Sequence, residues 1–359
     1  MSMQVALYYS NTDIRLEELP KPRVAPDEAL MTVEASGICG TDLMEWYRKD
    51  KVPLVLGHEV AGTILEVGAK VRNFRVGDRI VATHHVPCGE CEYCQNGHST
   101  VCETLRRTHF DPGGFAEFVR LTDLHLKLGT FRIPDSLAME EATFVEPLGC
   151  AIRGQRLAQM KKGKRVVVVG CGSAGLLHVK LARYYDAQSV AATDIDSYRL
   201  QKAKEFGADE VIHGDEDVVS KLRQIYGGRL ADLVILCSAA QSAIAQGLRS
   251  VERGGTVLIF TAASPDSCLP VPTNEIFWRQ EVTLLSSYAA SPEDLKEALT
   301  LISKRKIIVR DMITHRFPLQ DIQKGFALVA KPRESMKVII EPTKTKNLRR
   351  REHGLGHEK

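Results

Sequence analysis

The chain lacks any run of 18 consecutive apolar residues, so no segment reads as a membrane-spanning helix. Its opening stretch, MSMQVALYYSNTDIRLEELP, lacks the basic-then-apolar layout of a secretory signal, which points to a cytoplasmic protein. It also lacks an excess of one charge: 48 Lys and Arg stand against 45 Asp and Glu, and the surplus of +3 is local. Residues 344–359 hold six basic and two acidic side chains, so this tail carries +4 and the remainder −1. A balanced body argues against a nucleic-acid-binding surface, and the tail reads as a solvated terminus rather than a docking arm. Repeats and low-complexity linkers are absent as well. What is present is a globular composition, 44% hydrophobic and 26% charged, in 359 residues. That length exceeds one ordinary core and predicts two domains.

The first half reads as β-rich. Runs such as ALMTVEASG, VAGTILEVG, DRIVATHHV and FAEFVRL are separated by Gly, Asp and Pro turns. Near residue 150 the texture changes to six apolar strands: RVVVVG (165–170), SVAATD (189–194), EVIHG (210–214), DLVILCS (232–238), TVLIF (256–260) and VTLLSSY (282–288). Helix-like segments separate the first five. Strands apolar on both faces that alternate with helices predict a parallel sheet with right-handed crossovers, built from two mononucleotide-binding halves. Residues from about 289 onward, with the helix-like SPEDLKEALTLISK and the strand MKVIIEP, are expected to return to the first domain.

Nine cysteines in such a chain suggest metal or redox chemistry rather than disulfides. Four of them, Cys88, Cys91, Cys94 and Cys102, follow a C-x2-C-x2-C-x7-C spacing. That spacing lets one loop wrap a tetrahedral ion. With four thiolate ligands the site would be closed and structural, and zinc suits it.

A second motif, VVVVGCGSAG, contains G-x-G-x-x-G at Gly170, Gly172 and Gly175. It follows a strand, opens a helix, and is followed by Asp194, 19 residues after its last glycine, at the end of the next strand. This context reads as a dinucleotide site. Gly170 permits the turn, Gly172 lets a pyrophosphate approach the backbone, and Gly175 lets helix and strand pack. Asp194 at the ribose hydroxyls favours NAD over NADP; alternatively it is a helix N-cap. Arg199 either reaches the adenosine or is a solvated arginine.

GICGTD (37–42) sets Cys39 between two glycines, GHEVAG supplies His58 and Glu59, and VEPLGC supplies Glu146. Each alone reads as structural. Together, beside a nucleotide domain, they suggest an open catalytic zinc.

GICGTD, GHEVAG, the four-cysteine lobe, VEPLG, GCGSAG and ATDIDSYRLQKAKEFGAD occur in one order that resembles the zinc-dependent medium-chain dehydrogenases over nearly the whole chain. VEPLG and THRFPL resemble the polyol (sorbitol-like) branch, with the threonine dehydrogenases next. The resemblance implies an α/β protein. A GroES-like β-rich catalytic domain would span 1–148 and 289–359 with a zinc lobe at about 86–104, and a doubly wound six-stranded Rossmann domain would span 149–288. It implies two zinc ions per chain, NAD, a small alcohol or polyol substrate, a cleft between the domains, and a homo-oligomer, specifically a tetramer. Cys39 and His58 match the fixed ligands of the catalytic zinc. Glu59 matches a carboxylate that binds it in the polyol branch, and Glu146 the fourth position, with Cys150 as a rival. Asp42 matches the acceptor that orients His58, and Thr41 the hydroxyl that carries the substrate proton away. The nucleotide site extends to Ser173, Ala174, Ser238, Thr261 and Ser287.

Two positions depart from the family pattern. Met44 stands where a histidine often ends the proton relay, so the relay must leave through Thr41 and the cofactor ribose or water. Ser287 stands where polyol enzymes carry an arginine, which keeps threonine dehydrogenase open as a reading. A non-catalytic nucleotide-binding protein is the alternative from another class.

Overall fold

A computed structural model describes residues 1–269, 271–331 and 334–343, and the basic tail at 344–359 lies outside the described residues. The chain divides into two compact units, Met1–Glu146 with Ser291–Lys359, and Pro147–Ala290. Among the described residues no helix is long and apolar enough to cross a membrane.

The first unit contains β1 (Ser2–Ser10), β2 (Asp13–Pro20), β3 (Ala29–Gly37), β4 (Leu54–Val55), β5 (Glu59–Val67), β6 (Arg79–Thr83), β7 (Phe118–Leu121) and β8 (Thr130–Arg132). The strands of the second unit are β9 (Arg165–Val169), β10 (Ser189–Asp194), β11 (Glu210–His213), β12 (Ala231–Leu236), β13 (Val251–Ile259) and β14 (Thr283–Ser286). The returning chain supplies β15 (Ile313–Pro318) and β16 (Lys337–Glu341) to the first unit.

Two sheets build the first unit. One runs β2-β1-β4, and the other runs β15-β16-β3-β5-β6-β8 with β7 also paired to β3. β3 and β5 pair antiparallel with their apolar side chains in a shared core of Met31, Val33, Val60 and Ile64. β16 joins antiparallel to β3, with Ile339 opposite Gly37, so the last strand closes against the start of the GICGTD turn. The stretch DRIVATHHV is expected to be strand throughout, yet β6 stops at Thr83. The reason is the partner: β5 begins at Glu59, which pairs with Thr83, so no ladder remains for the two histidines that follow.

In the second unit every residue of RVVVV is buried. β-branched side chains fit a pleated surface covered on both faces. The strand order is β11-β10-β9-β12-β13-β14, and all five pairings are parallel. Chain order reverses between β9 and β12, and a doubly wound sheet takes its ligand at the carboxyl ends of the strands at such a point.

Candidate functional site

The four cysteines of the spaced motif lie in the segment between β6 and β7. Short turns at Glu92–Gln95 and Ser99–Val101 fold the loop back on itself. The sulfur of Cys94 lies 3.9 Å from that of Cys88 and 3.6 Å from that of Cys91, and the sulfurs of Cys88 and Cys102 are 3.6 Å apart. These separations are far too long for disulfides. Four ligands at the zinc–thiolate distance of a tetrahedron stand about 3.8 Å apart, which the cluster matches. The amides of Glu90 and Cys91 hold the Cys88 thiol below its ordinary pKa, whereas burial and the neighbouring thiols push Cys94 up to about 12. Only a cation at the centre lets all four ionise together.

The second group is Cys39, His58 and Glu59, whose ligand atoms all lie within 4.8 Å of one another. A single 3-10 turn, Gly40–Leu43, presents Cys39 and Asp42 together. Asp42 is fully buried, and its Oδ2 accepts the Cys39 amide at 3.0 Å. Its Oδ1 stands 3.4 Å from Nδ1 of His58 and 3.8 Å from Arg48, which also donates to the carbonyl of Thr41 at 2.7 Å. Burial opposes charge on Asp42, but His58, the Cys39 amide and Arg48 outweigh it and hold its pKa below the usual carboxylate range. Asp42 thus faces one ring nitrogen of His58 and leaves Nε2 for a ligand on the other side. Burial also works against a charged His58, yet Asp42 and Cys39 overcome it and raise its pKa. The negative surroundings that favour a protonated ring would equally favour a dication.

Glu59 is 0% exposed, and its Oε2 is ion-paired with Lys337, the first residue of β16. Its Oε1 is buried with no hydrogen-bond partner, an orphan that a metal would satisfy. The pair fits only because residue 37 is glycine: a Cβ there would lie 2.0 Å from Oε2 of Glu59. Burial works to discharge Lys337, but Glu59, Cys39 and Glu146 raise its pKa. Neither Glu146 nor Cys150 belongs to the three-residue group; both lie in the helix Val145–Leu157, one turn apart. Thr41 is exposed on the turn and Met44 is half-buried. Lys337, Arg48 and Gly37 are absent from the sequence-based site. The one available signal for Lys337 was a lone cation heading the apolar run KVIIE.

The glycine loop joins β9 to the helix Ser173–Tyr184. Gly170 takes φ +93, which favours glycine, and a Cβ on Gly175 would lie 1.9 Å from the carbonyl oxygen of Gly170. A Cβ on Gly172 would meet nothing within 4 Å, so the loop is open on the side where a pyrophosphate would lie. Ser173 and Ala174 form the first turn of the helix. Asp194 ends β10. Its carboxylate accepts the amide of Cys171 at 2.7 Å and that of Asp196 at 3.0 Å. The N-cap of the next helix is Asp196, which accepts the Arg199 amide at 3.0 Å; Asp194 is therefore not the cap. Arg199 stands 3.8 Å from the Asp194 carboxylate. Ser238, Thr261 and Ser287 lie just beyond β12, β13 and β14, at the same ends of the sheet. Ser238 accepts the Ala240 amide at 3.3 Å, Thr261 donates to the Ala262 carbonyl at 3.3 Å, and the Ser287 hydroxyl is buried without a partner.

The chain resembles known dehydrogenases over most of its length. The family description "Alcohol dehydrogenase GroES-like domain" matches residues 25–135, and "Zinc-binding dehydrogenase" matches residues 173–304. The chain is 32% identical over 349 residues to a sorbitol dehydrogenase of Bombyx mori, covering 93% of this chain and 97% of that one. It is 32% identical over 334 residues to an L-threonine 3-dehydrogenase of Bacillus licheniformis, covering 91% and 94%. A zinc-binding dehydrogenase structure from Sinorhizobium meliloti 1021, bound to NADP, superimposes with a TM-score of 0.85 at 29% identity, covering 95% of this chain and 100% of that one.

Proposed function

The chain belongs to the zinc-binding alcohol dehydrogenase family, and from that premise we propose that it oxidises a secondary alcohol, a polyol, with NAD as hydride acceptor. The observation that carries this reading is the Cys39–His58–Glu59 group with its orphaned carboxylate oxygen. Cys39, His58 and a carboxylate of Glu59 or Glu146 would hold a zinc ion, which would act as a Lewis acid and lower the pKa of a substrate hydroxyl. Cys88, Cys91, Cys94 and Cys102 would hold a second, structural zinc. Asp42 keeps the His58 ring in one orientation and is itself kept in place by the Cys39 amide. Thr41 accepts the hydroxyl proton and passes it on to water or the cofactor ribose, since Met44 cannot extend the relay. NAD bound at the glycine loop would accept the hydride of the carbinol carbon, so that the alcohol would yield a ketone, NADH and one proton.

NAD is assigned over NADP because Asp194 presents a carboxylate at the end of β10, where a 2′-phosphate would be repelled. Arg199 beside it offsets part of that charge, and the Sinorhizobium relative binds NADP. The substrate assignment rests on the sorbitol dehydrogenase relatives. Ser287, where the polyol branch carries an arginine, supports a second reading as an L-threonine 3-dehydrogenase.

The test is a reduction assay with NAD and with NADP on polyols, 2-amino-3-hydroxy acids and simple secondary alcohols, alongside zinc analysis. Turnover of a polyol with higher kcat/KM for NAD is expected. Preference for L-threonine selects the second reading. Zinc-replete protein that binds NAD and turns over none of the alcohols would be a non-catalytic member.

A further inference from the structure

Three histidines that the proposed chemistry does not use converge in the first unit. His84 and His85 follow β6, where its ladder ends, and His109 lies two residues past the helix Glu103–Arg107. One ring nitrogen of each lies within 4.8 Å of those of the other two. The His84 and His85 rings are 3.6 Å apart between centres, and His109 stands 5.4 Å from His85 and 6.1 Å from His84.

The details favour a ligand over a plain polar cluster. Nδ1 of His84 is buried with no hydrogen-bond partner. Leaving such an atom unsatisfied carries its full desolvation penalty, which a bound group would recover. Nδ1 of His85 lies 3.1 Å from the Thr108 carbonyl oxygen. That contact ties the His85 ring to the loop that carries His109. Backbone carbonyls orient metal-binding histidines in this way. The same loop then supplies His109 as the next residue, exposed enough to admit an ion.

We propose that His84, His85 and His109 form a further metal site for a late first-row divalent ion, separate from the four thiols and from the Cys39–His58–Glu59 group. Three imidazoles without a carboxylate suit nickel, copper(II) or zinc and disfavour magnesium and calcium. Water would complete the coordination. The ring of His84 stands 5.0 Å from that of His58, so the new site adjoins the Cys39 group without sharing its ligands.

Nickel added to the zinc-loaded full chain tests this, with unbound metal removed and both metals counted. One extra equivalent of nickel with unchanged zinc is expected. His109→Ala and His85→Ala should each lose that nickel while retaining the zinc. Because His109 is exposed, His109→Ala should also keep the parent melting temperature. The tail carries His353 and His357, so a His353→Ala/His357→Ala variant is the control and should keep the nickel. The proposal is overturned if no extra nickel binds, if nickel only replaces zinc, or if the extra ion is lost with the tail histidines and retained in His109→Ala. Each readout is a metal count, so it stands apart from the outcome of the dehydrogenase assay.

Discussion

Lys337→Met is the sharpest test of how the candidate metal group is held. The side chains of Lys337 and Glu59 are 2% and 0% exposed, and Nζ pairs with Oε2 and donates to the Ile38 carbonyl at 3.3 Å. Methionine keeps most of the volume and removes the cation. The Glu59 carboxylate is then left buried without its partner, a change that costs about 3–5 kcal/mol in comparable buried pairs. Removing both charges in Glu59→Gln/Lys337→Met should recover most of the loss, because a buried pair replaced by neutral groups is often close to neutral in stability. Zinc loading should shrink the single-variant penalty, since a dication on the orphaned Oε1 supplies the missing positive charge. The assay is urea unfolding followed by tryptophan fluorescence. The chain has two tryptophans. Trp46 lies in the first unit and Trp278 in the second, so a Trp278→Phe background makes Trp46 report on the first unit alone. The reasoning fails if zinc-free Lys337→Met unfolds within about 0.5 kcal/mol of its parent, the ordinary scatter of surface changes. It fails equally if the double variant is as unstable as the single one.

Cys91→Ser should lower the melting temperature and halve the zinc content, because a closed four-thiolate site contributes to folding; unchanged melting would sink the structural-site assignment. Thr41→Val should cut kcat by about 10²-fold or more with zinc content intact, whereas Thr41→Ser stays active; pre-steady-state rates read this, and an active valine variant with a normal pH profile would show another proton route. Asp194→Ala should weaken NAD binding by roughly 1–3 kcal/mol in calorimetry, and an unchanged affinity would remove Asp194 from the site. His178 is buried against Gln155 and Phe260, and burial pushes its pKa down to about 3. The unfolded chain therefore takes up a proton that the folded one does not, so its contribution to stability is full above pH 6.5 and falls away as pH drops toward 3. The loss is at most about 5 kcal/mol at 1.36 kcal/mol per unit. His178→Gln should flatten that slope in pH-dependent denaturation, and an unchanged slope would assign the acid sensitivity elsewhere.

Local pattern determined a good deal of this protein. RVVVV, SVAATD and their successors are continuous β-branched or apolar runs separated by helical stretches, and such runs have few alternatives to a parallel sheet with covered faces. The C-x2-C-x2-C-x7-C spacing confines four sulfurs to one short loop, so their convergence needs only local turns. G-x-G-x-x-G with Asp194 spans a single strand–helix–strand unit and is equally self-contained. Features that join distant parts of the chain were left to the tertiary structure. Lys337 reaches Glu59 only because β16 pairs with β3 and brings the C-terminal strand beneath Gly37. The alternative reading of Asp194 as an N-cap gives way to Asp196 because the helix begins at Ser197, and the Asp194 carboxylate accepts the Cys171 amide of the preceding turn instead. DRIVATHHV stops being strand at Thr83 because β5 begins opposite it, and this frees His84 and His85 to meet His109. A sequence carries the periodicity that selects each element, but the partner strand decides where the element ends and which buried charges meet.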